Sequence, residues 1–263
     1  PKRYLKAFKD LIACVRAMDA DVLTVTNATT IKSTEYGDVT GTTADASRLS
    51  SVFEQLFFRV KLYENKTADK MKALLADIAA DKALVKHDAL VVIILSHGAE
   101  EGIYGTDGVT VPLKTILEMF NNENCPQLID KPKMFFTNAC RGSKFDHGTR
   151  KSLGPSLAAM GTAYGAPMVT TWSDMFVYYS SIEGYVSTRS MFKGSWFGQE
   201  LATCLAESAH REHLNDLVTI LVAKCVSERI GKIDGQFSKQ AIETHIRGSV
   251  KKVYFNPGLY LEN

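Results

Sequence analysis

The chain has 263 residues, of which 45% are hydrophobic and 23% are charged, and its formal net charge is +2. This is ordinary globular composition, and the near neutrality gives no support to binding of nucleic acid or of an anionic membrane. No apolar stretch reaches the roughly 18 residues that cross a bilayer, and no secretory signal opens the chain. We therefore expect a cytoplasmic protein that needs no metal and no cofactor.

The first half of the chain alternates predicted strands and helices. Strands are predicted at 21–27 and 58–65, and apolar residues at helical spacing predict helices at 44–58 and 67–81. ALVVIIL (89–95) is a continuous β-branched run, which is typical of a strand that is buried on both faces. A hairpin, a helix that begins at Pro112, and a second buried strand (131–139) follow. This order predicts an α/β fold with a mostly parallel sheet and helices on both of its faces.

The second half opens with a long segment that shows no period. Residues 141–173 are rich in Gly, Ser, Thr and Ala, which is typical of a functional loop or a linker. A strand (175–182), a loop (183–194), two helices (195–208 and 213–230) and a final strand (249–258) are predicted after it. We find no internal repeat.

Chemistry-bearing residues follow the two buried strands. ALVVIIL ends in Ser96-His97-Gly98, and KMFFTNA ends in Cys140-Arg141-Gly142. If the two strands are neighbours, His97 and Cys140 emerge at one edge, where the imidazole can take the thiol proton and return it to a leaving amine. The backbone N–H groups of Gly98 and Cys140 are then candidates for an oxyanion hole. The alternative is an inert buried thiol beside a structural histidine.

Five stretches together resemble the caspase family of cysteine proteases. LSHG is followed 43 residues later by NACRG, and VTGTTADASRL, KPKMFFTNACRG, KGSWFGQEL and KKVYFNPG are similar to other family motifs. The resemblance implies a three-layer α/β sandwich around a six-stranded, mostly parallel sheet. It implies one catalytic domain with a large part (1–146), a linker (147–173) and a small part (174–263). It also implies a peptide or protein substrate and a dimer, with itself or with another caspase, through the C-terminal strand.

The resemblance also assigns roles to residues. It makes Cys140 the nucleophile and His97 the general acid/base. Ser96, Asn138 and Arg189 match positions that line the pocket for the substrate's P1 aspartate, and Trp196 matches an aromatic residue of the subsites further upstream.

The predicted P1 pocket departs from the family pattern. Val39 stands where the first of two arginines belongs, Asn138 is one methylene shorter than the expected glutamine, and Thr188 replaces an aromatic residue. Each lost hydrogen bond to a carboxylate is worth roughly 1.5–3 kcal/mol, so we expect aspartate specificity to be weakened or changed. Lys32 is a basic residue that could fill the gap.

The linker gives a second departure and leaves two functions open. Asp146 is a candidate processing site, but residues 147–173 contain no aspartate, so the chain could also work uncut or never be activated by that route. One reading is an active cysteine endopeptidase in apoptosis-type signalling. The other is a catalytically impaired homologue that dimerises with an active caspase and regulates it. The remaining cysteines (Cys14, Cys125, Cys204 and Cys225) form no CxxC pair and are interpreted as packing thiols.

Overall fold

The structure, a computed structural model, describes residues 12–14, 20–26, 40–143, 170–190, 192–233, 235–249 and 251–255. For 12–14, 20–26, 40 and 233 the description is of the backbone alone. Within these ranges no helix has both the length and the apolar character that a bilayer-spanning segment needs.

Fifteen strands lie within the described ranges. In chain order they are β1 (Ile12–Cys14), β2 (Ala20–Thr26), β3 (Arg59–Glu64), β4 (Ala89–Leu95), β5 (Gly98–Ala99), β6 (Gly102–Tyr104), β7 (Thr110–Val111), β8 (Lys133–Asn138), β9 (Met175–Tyr179), β10 (Arg189–Ser190), β11 (Gly194–Ser195), β12 (Gly231–Ile233), β13 (Gln236–Ser238), β14 (Glu243–Arg247) and β15 (Lys252–Tyr254).

Six of these strands form the main sheet, in the order β14-β9-β8-β4-β2-β3. Neighbouring strands from β9 to β3 run parallel, and β14 lies antiparallel to β9 at one edge. Small sheets made of β5, β6 and β7, of β10 and β11, and of β12 and β13 extend from it as antiparallel hairpins. The predicted α/β fold with a six-stranded, mostly parallel sheet is therefore confirmed.

Helices cover both faces of the main sheet, as predicted. They are α1 (Thr40–Gln55), α2 (Ala68–Ala80), α3 (Leu113–Met119), α4 (Trp196–Ser208) and α5, which consists of Leu214–Asp216, a π-helical segment Leu217–Val222, and Ala223–Glu228. Two 3₁₀ turns, Lys82–Lys86 and Pro126–Leu128, each precede a central strand. Thr67 caps α2 by accepting a hydrogen bond from the backbone N–H of Lys70 at 3.3 Å.

The central strand β4 shows why the sheet is covered on both sides. All seven of its residues are buried. Side chains alternate along a strand, so Val91 and Ile93 point into the apolar layer that holds α1, α4 and α5. Val92 and Ile94 point into the opposite layer, which holds α2 and α3. A continuous apolar run is therefore required here, because neither face of β4 meets water.

The C-terminal region differs from the prediction. A single final strand was predicted at 249–258, where the structure has β15, but β12, β13 and β14 also follow the last helix and were not predicted. β14 forms the antiparallel edge of the main sheet, whereas β15 pairs in parallel with β1. Gly248, in a left-handed conformation with φ of +61°, follows β14 directly. The main sheet therefore ends in β14 on one side and in β3 on the other, and β15, which lies within the predicted final strand, is part of neither edge.

Candidate active site

The two predicted catalytic residues follow neighbouring parallel strands. Leu95 of β4 is in register with Asn138 of β8, and the backbone N–H of Ser96 donates to the carbonyl oxygen of Asn138 at 3.2 Å. His97 and Cys140 are therefore delivered to the same edge of the sheet, as the sequence predicts.

The chain segments that follow these strands pack very closely. A Cβ atom on Gly98 would lie 2.4 Å from the carbonyl oxygen of Cys140 and 2.9 Å from the Cβ of Ala139. Any side chain at position 98 would push the two segments apart. Gly98 is thus needed for close approach, and its backbone lies beside Cys140, as an oxyanion-hole role for the two N–H groups requires.

A cavity of about 540 Å³ opens at this edge. Its walls combine the thiol, the imidazole and a guanidinium group with two glutamates and a glycine-containing loop. The lining residues are His97, Gly98, Ala99, Glu100, Glu101, Tyr104, Cys140, Gly142, Ser143, Gly184, Val186 and Arg189. Four of the predicted site residues therefore line one space: His97, Gly98, Cys140 and Arg189.

Cys140 is partly exposed and is held by the loop that follows β9. The backbone N–H of Ser187 donates to Cys140 Sγ at 3.5 Å. Next to it, the N–H of Arg141 donates to the carbonyl oxygen of Tyr185 at 3.0 Å, and the N–H of Gly184 donates to the carbonyl oxygen of Arg141 at 2.7 Å. The loop therefore positions the thiol with backbone contacts that do not depend on side-chain type.

His97 is 95% buried and contacts Arg189. The Arg189 Nη2 atom lies 3.0 Å from His97 Nδ1 and 3.4 Å from Nε2. Arginine can only donate hydrogen bonds, so the imidazole nitrogen that accepts from it is unprotonated. Burial lowers the pKa of Arg189, while the charges of the nearby Cys140 and Asp45 oppose that shift.

Asp45 of α1 anchors the wall behind Arg189. It is 1% exposed, and its Oδ2 accepts from the backbone N–H of Ser195 at 2.8 Å and from Asn138 Nδ2 at 3.3 Å. Burial raises the pKa of Asp45, and the two hydrogen bonds from Ser195 and the charges of Arg48 and Arg189 oppose it. The carboxylate lies at the N-terminus of α4, where the helix dipole favours a negative charge.

The approach of β11 to this carboxylate depends on glycine. Gly194 has a left-handed φ of +87°, and a Cβ atom there would lie 2.1 Å from Asp45 Oδ1. The next residue, Ser195, caps α4 by accepting from the N–H of Gly198 at 2.8 Å. The Gly-Ser-Trp start of α4 therefore places a helix N-terminus directly on Asp45.

The other predicted substrate-binding residues are not among the residues that line the cavity. Ser96 is buried and its hydroxyl donates to the carbonyl oxygen of Tyr104 at 2.9 Å. Asn138 donates to Ser195 Oγ at 2.7 Å and accepts from Ser187 Oγ at 3.0 Å, so its amide is held in the wall. Trp196 is 9% exposed and packs beside Gly231 of β12.

Three of the predictions concern residues outside those that the structure describes. They concern Val39, where the family arginine is missing, Lys32, which could replace it, and Asp146, the candidate processing site. Most of the predicted linker lies there as well, although 170–173 is described and Asn122 Nδ2 donates to the carbonyl oxygen of Thr170 at 2.8 Å.

Arg141 connects the site to the sheet edge. Its Nη1 lies 2.5 Å from Glu243 Oε2 on β14, and its guanidinium lies 4.0 Å from the ring centroid of Tyr179. His245 Nε2 in turn lies 2.6 Å from Glu243 Oε1. Arg141, which follows Cys140, is thus fixed by an ion pair to the edge strand.

Sequence reasoning did not assign a site role to Asp45, Ser187 or Ser195. In the sequence both residues stand only within family-like motifs, Asp45 in VTGTTADASRL and Ser195 in KGSWFGQEL. A signal existed for both, since Ser195 precedes a helix in an N-cap pattern and a lone acidic residue stands among the buried positions of α1. The contact of Ser187 with Cys140 is made by the backbone and leaves no sequence signal.

Comparison with known proteins agrees with this geometry. A family model described as caspase domain matches residues 27–247. The chain is 36% identical to caspase-7 of Gallus gallus over 187 residues, which cover 71% of this chain and 60% of the relative. It is 35% identical to caspase-9 of Homo sapiens over 217 residues, covering 72% and 51%. It is 29% identical to caspase Dronc of Drosophila melanogaster, covering 84% and 52%. The chain thus spans between half and three fifths of the length of these relatives.

Proposed function

The chain belongs to the caspase family, and we propose that it is a cysteine endopeptidase with a weakened or altered pocket for a P1 aspartate, acting in apoptosis-type signalling. One observation carries the proposal: Cys140, His97 and Arg189 line a single cavity at the carboxyl ends of β4 and β8. A thiol, a base and a cation in one space are the groups that hydrolysis after an acidic residue needs.

The chemistry follows from the positions of these groups. Cys140 Sγ attacks the scissile carbonyl carbon while His97 takes the thiol proton. The negative charge that develops on the carbonyl oxygen is accepted by the N–H groups of Gly98 and Cys140. His97 then gives its proton to the leaving amine, and the resulting thioester of Cys140 is hydrolysed by water, which restores the thiol.

Arg189 is the proposed contact for an acidic P1 side chain. Its hydrogen-bond contact to His97 involves a neutral acceptor, so a substrate carboxylate would be a stronger partner for the guanidinium. Binding of that carboxylate would draw Arg189 away from His97 and leave the imidazole open to the thiol proton. Since Asn138 is held by Ser195 and Ser187, we expect its amide to support the pocket wall more than to bind substrate.

Peptide amides that vary only at P1 test the proposal. The purified chain is assayed with tetrapeptide substrates that carry Asp, Glu, Asn or Ala at P1, with Cys140→Ala as the control. We expect turnover that requires Cys140 and is fastest with an acidic P1 residue. Absence of Cys140-dependent turnover for every P1 residue, in protein shown to be dimeric, would refute the enzyme proposal.

The Val39→Arg variant tests whether the missing arginine is what weakens the pocket for a P1 aspartate. Restoring the family arginine should raise kcat/KM for a P1 aspartate by about 10²- to 10³-fold, because a buried carboxylate gains a charged partner. Unchanged activity would mean that another basic group, such as Lys32, already supplies the charge.

A second candidate is a regulatory homologue that pairs with an active caspase. The exposed edge of the main sheet favours it, because β14 carries Ile246, which is 43% exposed, and strand edges pair readily. We propose that β14 forms the dimer contact, with a second copy or with another caspase. If regulation is the function, Cys140→Ala protein mixed with an active caspase should still change its partner's rate.

The division of the chain is part of the same proposal. The large part (1–146) contributes Cys140 and His97, and the small part (174–263) contributes Arg189 and Trp196. If the linker 147–173 is cut during maturation, Asp146 is the expected site. Asp146→Ala protein that is still cut at the same position, as judged by N-terminal sequencing, would argue against that assignment.

A further inference from the structure

Arg189 contacts the imidazole that the proposed mechanism uses as its base. The Arg189 Nη2 atom lies 3.0 Å from His97 Nδ1 and 3.4 Å from His97 Nε2. Whichever ring nitrogen takes the thiol proton of Cys140, that proton arrives beside a guanidinium group, which is always charged in proteins. Like charges in contact disfavour the charged imidazole, so this contact opposes the first step of catalysis.

Burial increases the effect of this contact. His97 is only 5% exposed, and Arg189 is partly buried. Water and salt screen buried charges much less than exposed ones, so the repulsion between a guanidinium and an imidazolium is larger here than at the surface. The arrangement in the structure therefore favours a neutral imidazole.

The Arg189 guanidinium has no carboxylate partner among the residues that the structure describes. Asp45 acts on it through its charge, but the Asp45 Oδ2 atom accepts hydrogen bonds from Ser195 and Asn138 instead. A hydrogen bond between a guanidinium and a carboxylate is roughly twice as strong as one between neutral groups, and it can be bidentate. A carboxylate that enters the cavity is therefore a better partner for Arg189 than the imidazole is.

The cavity can admit such an anion. Its volume of about 540 Å³ is ordinary for a ligand site, and a substrate with a small P1 side chain leaves the space beside Arg189 unfilled. Glu100 and Glu101 also line the cavity, but both are exposed and neither is paired with Arg189. Water and salt therefore screen their repulsion of an incoming anion.

We propose that a small monocarboxylate of acetate size activates this site by taking the Arg189 guanidinium away from His97. A P1 aspartate supplies that carboxylate itself, whereas a substrate with a small, uncharged P1 residue needs it as a separate ligand. The inference rests on the proposed endopeptidase function and adds a form of regulation, activation by a free anion. A pocket that only binds the P1 side chain would gain nothing from such a ligand.

Two substrates should respond to acetate in opposite directions. With P1 Ala, acetate occupies the free space beside Arg189, so kcat/KM should rise about 3- to 10-fold and then saturate, which is the range of one net hydrogen bond. With P1 Asp, acetate competes with the substrate for Arg189, so kcat/KM should fall. A general effect of salt on folding or dimerisation would change both values in the same direction.

Turnover of two tetrapeptide amides, identical except for Ala or Asp at P1, measures these responses. The purified chain is assayed over a series of sodium acetate concentrations, and sodium chloride keeps the ionic strength constant because salt screens charge interactions. Acetamide, which has the shape of acetate without its charge, is the control ligand and should change neither rate. Cys140→Ala protein gives the background rate.

Arginine variants identify the group that binds acetate. Arg189→Met should remove both responses, because methionine retains much of the side chain but not the charge. Arg48→Met is the matched control, since Arg48 Nη1 lies 3.5 Å from Asp45 Oδ1 but Arg48 is not among the residues that line the cavity. The Arg48→Met protein should keep both responses, and circular dichroism verifies the fold of each variant.

NMR spectra of His97 test the contact without any turnover. The ring nitrogens of His97 are observed in isotope-labelled Cys140→Ala protein and are assigned with the His97→Ala variant. Acetate should shift their resonances in a saturable manner, because the guanidinium leaves the ring, and the shift should be absent when Arg189→Met is added. A chain that shows this shift but hydrolyses no peptide would refute the endopeptidase proposal and still support the release of His97.

Two results would overturn the inference. One is Cys140-dependent turnover of the P1 Ala substrate that acetate leaves unchanged or lowers. The other is a His97 spectrum that does not respond to acetate, or that responds equally in the Arg189→Met protein.

Discussion

The two walls of the cavity are built in different ways. The reactive wall (His97, Gly98 and Cys140) comes from two short segments that follow adjacent parallel strands, β4 and β8. The recognition wall (Arg189 with Asp45, Asn138 and Ser195 behind it) is assembled from α1, β8, β10 and the start of α4. The first wall needs one strand pairing to form, whereas the second needs several separate elements to meet.

This difference bears on how the chain can depart from its family. A change in the reactive wall removes a group that makes or breaks bonds, so little variation is compatible with hydrolysis. In the recognition wall, Ser187 Oγ donates a hydrogen bond to Asn138 Oδ1 at 3.0 Å, so the shorter amide is held by a neighbouring side chain. A recognition wall can therefore change in substrate preference while it keeps its packing.

The largest effect is expected in the reactive wall. Cys140→Ala and His97→Ala should each lower kcat by about 10³-fold or more, because residues that act as one unit lose most of the rate when either is removed. The measurement is turnover of the best peptide amide, and the double variant should be no slower than the Cys140→Ala variant. If the two effects multiply instead, His97 and Cys140 do not act together.

A smaller effect is expected for the guanidinium of the recognition wall. Arg189→Met should lower kcat/KM for a P1 aspartate by about 10²- to 10³-fold, because the carboxylate loses its charged partner. With an uncharged P1 residue the loss should be less than about tenfold. The measurement is the ratio of kcat/KM for the P1 aspartate substrate to kcat/KM for the uncharged substrate, in the wild type and in Arg189→Met. An equal loss for both substrates would show a general structural defect.

Asp45, which supports the recognition wall, should make the free energy of unfolding depend on pH. The pKa of Asp45 is raised in the folded chain. Between about pH 4 and that raised pKa, the native state therefore holds a proton that the unfolded state has lost. The contribution of Asp45 to the free energy of unfolding therefore falls as pH rises from about 4 through its raised pKa. We measure the free energy of unfolding in urea for the wild type and for Asp45→Asn. The wild type should be most stable relative to Asp45→Asn near pH 4, and this advantage should shrink as the pH rises to neutral. A difference that grows with pH would contradict the prediction.

The smallest effect is expected at Glu243, with the opposite sign. Its pKa is lowered in the folded chain, because the hydrogen bond and charge of Arg141 outweigh its partial burial. Its stabilisation is therefore present above about pH 4.5 and is lost as pH falls through the lowered pKa. Glu243→Gln should cost about 1 kcal/mol in the free energy of unfolding at pH 7, as judged by urea titration. A cost that does not shrink under acid would contradict the ion pair.

The contrast between the walls also explains how far the sequence could be interpreted. The apolar run 89–95 and the strand before Cys140 predicted the sheet and the meeting of His97 with Cys140, because parallel neighbours share an edge. The role of Asp45 was not predicted, since its partners Ser195 and Asn138 lie 150 and 93 residues further along the chain. Strand β14 (Glu243–Arg247) was also missed, because only the later run 249–258 was interpreted as a strand.

The most direct test of the account is covalent labelling of the cavity. Two peptidyl acyloxymethyl ketones that differ only in P1 Asp or Asn are reacted with the wild type and with Arg189→Met, and the labelled residue is identified by mass spectrometry. The account predicts labelling at Cys140, about 10- to 100-fold faster with Asp, and a preference that disappears in Arg189→Met. Labelling at another residue, or an aspartate preference that survives without Arg189, would contradict it.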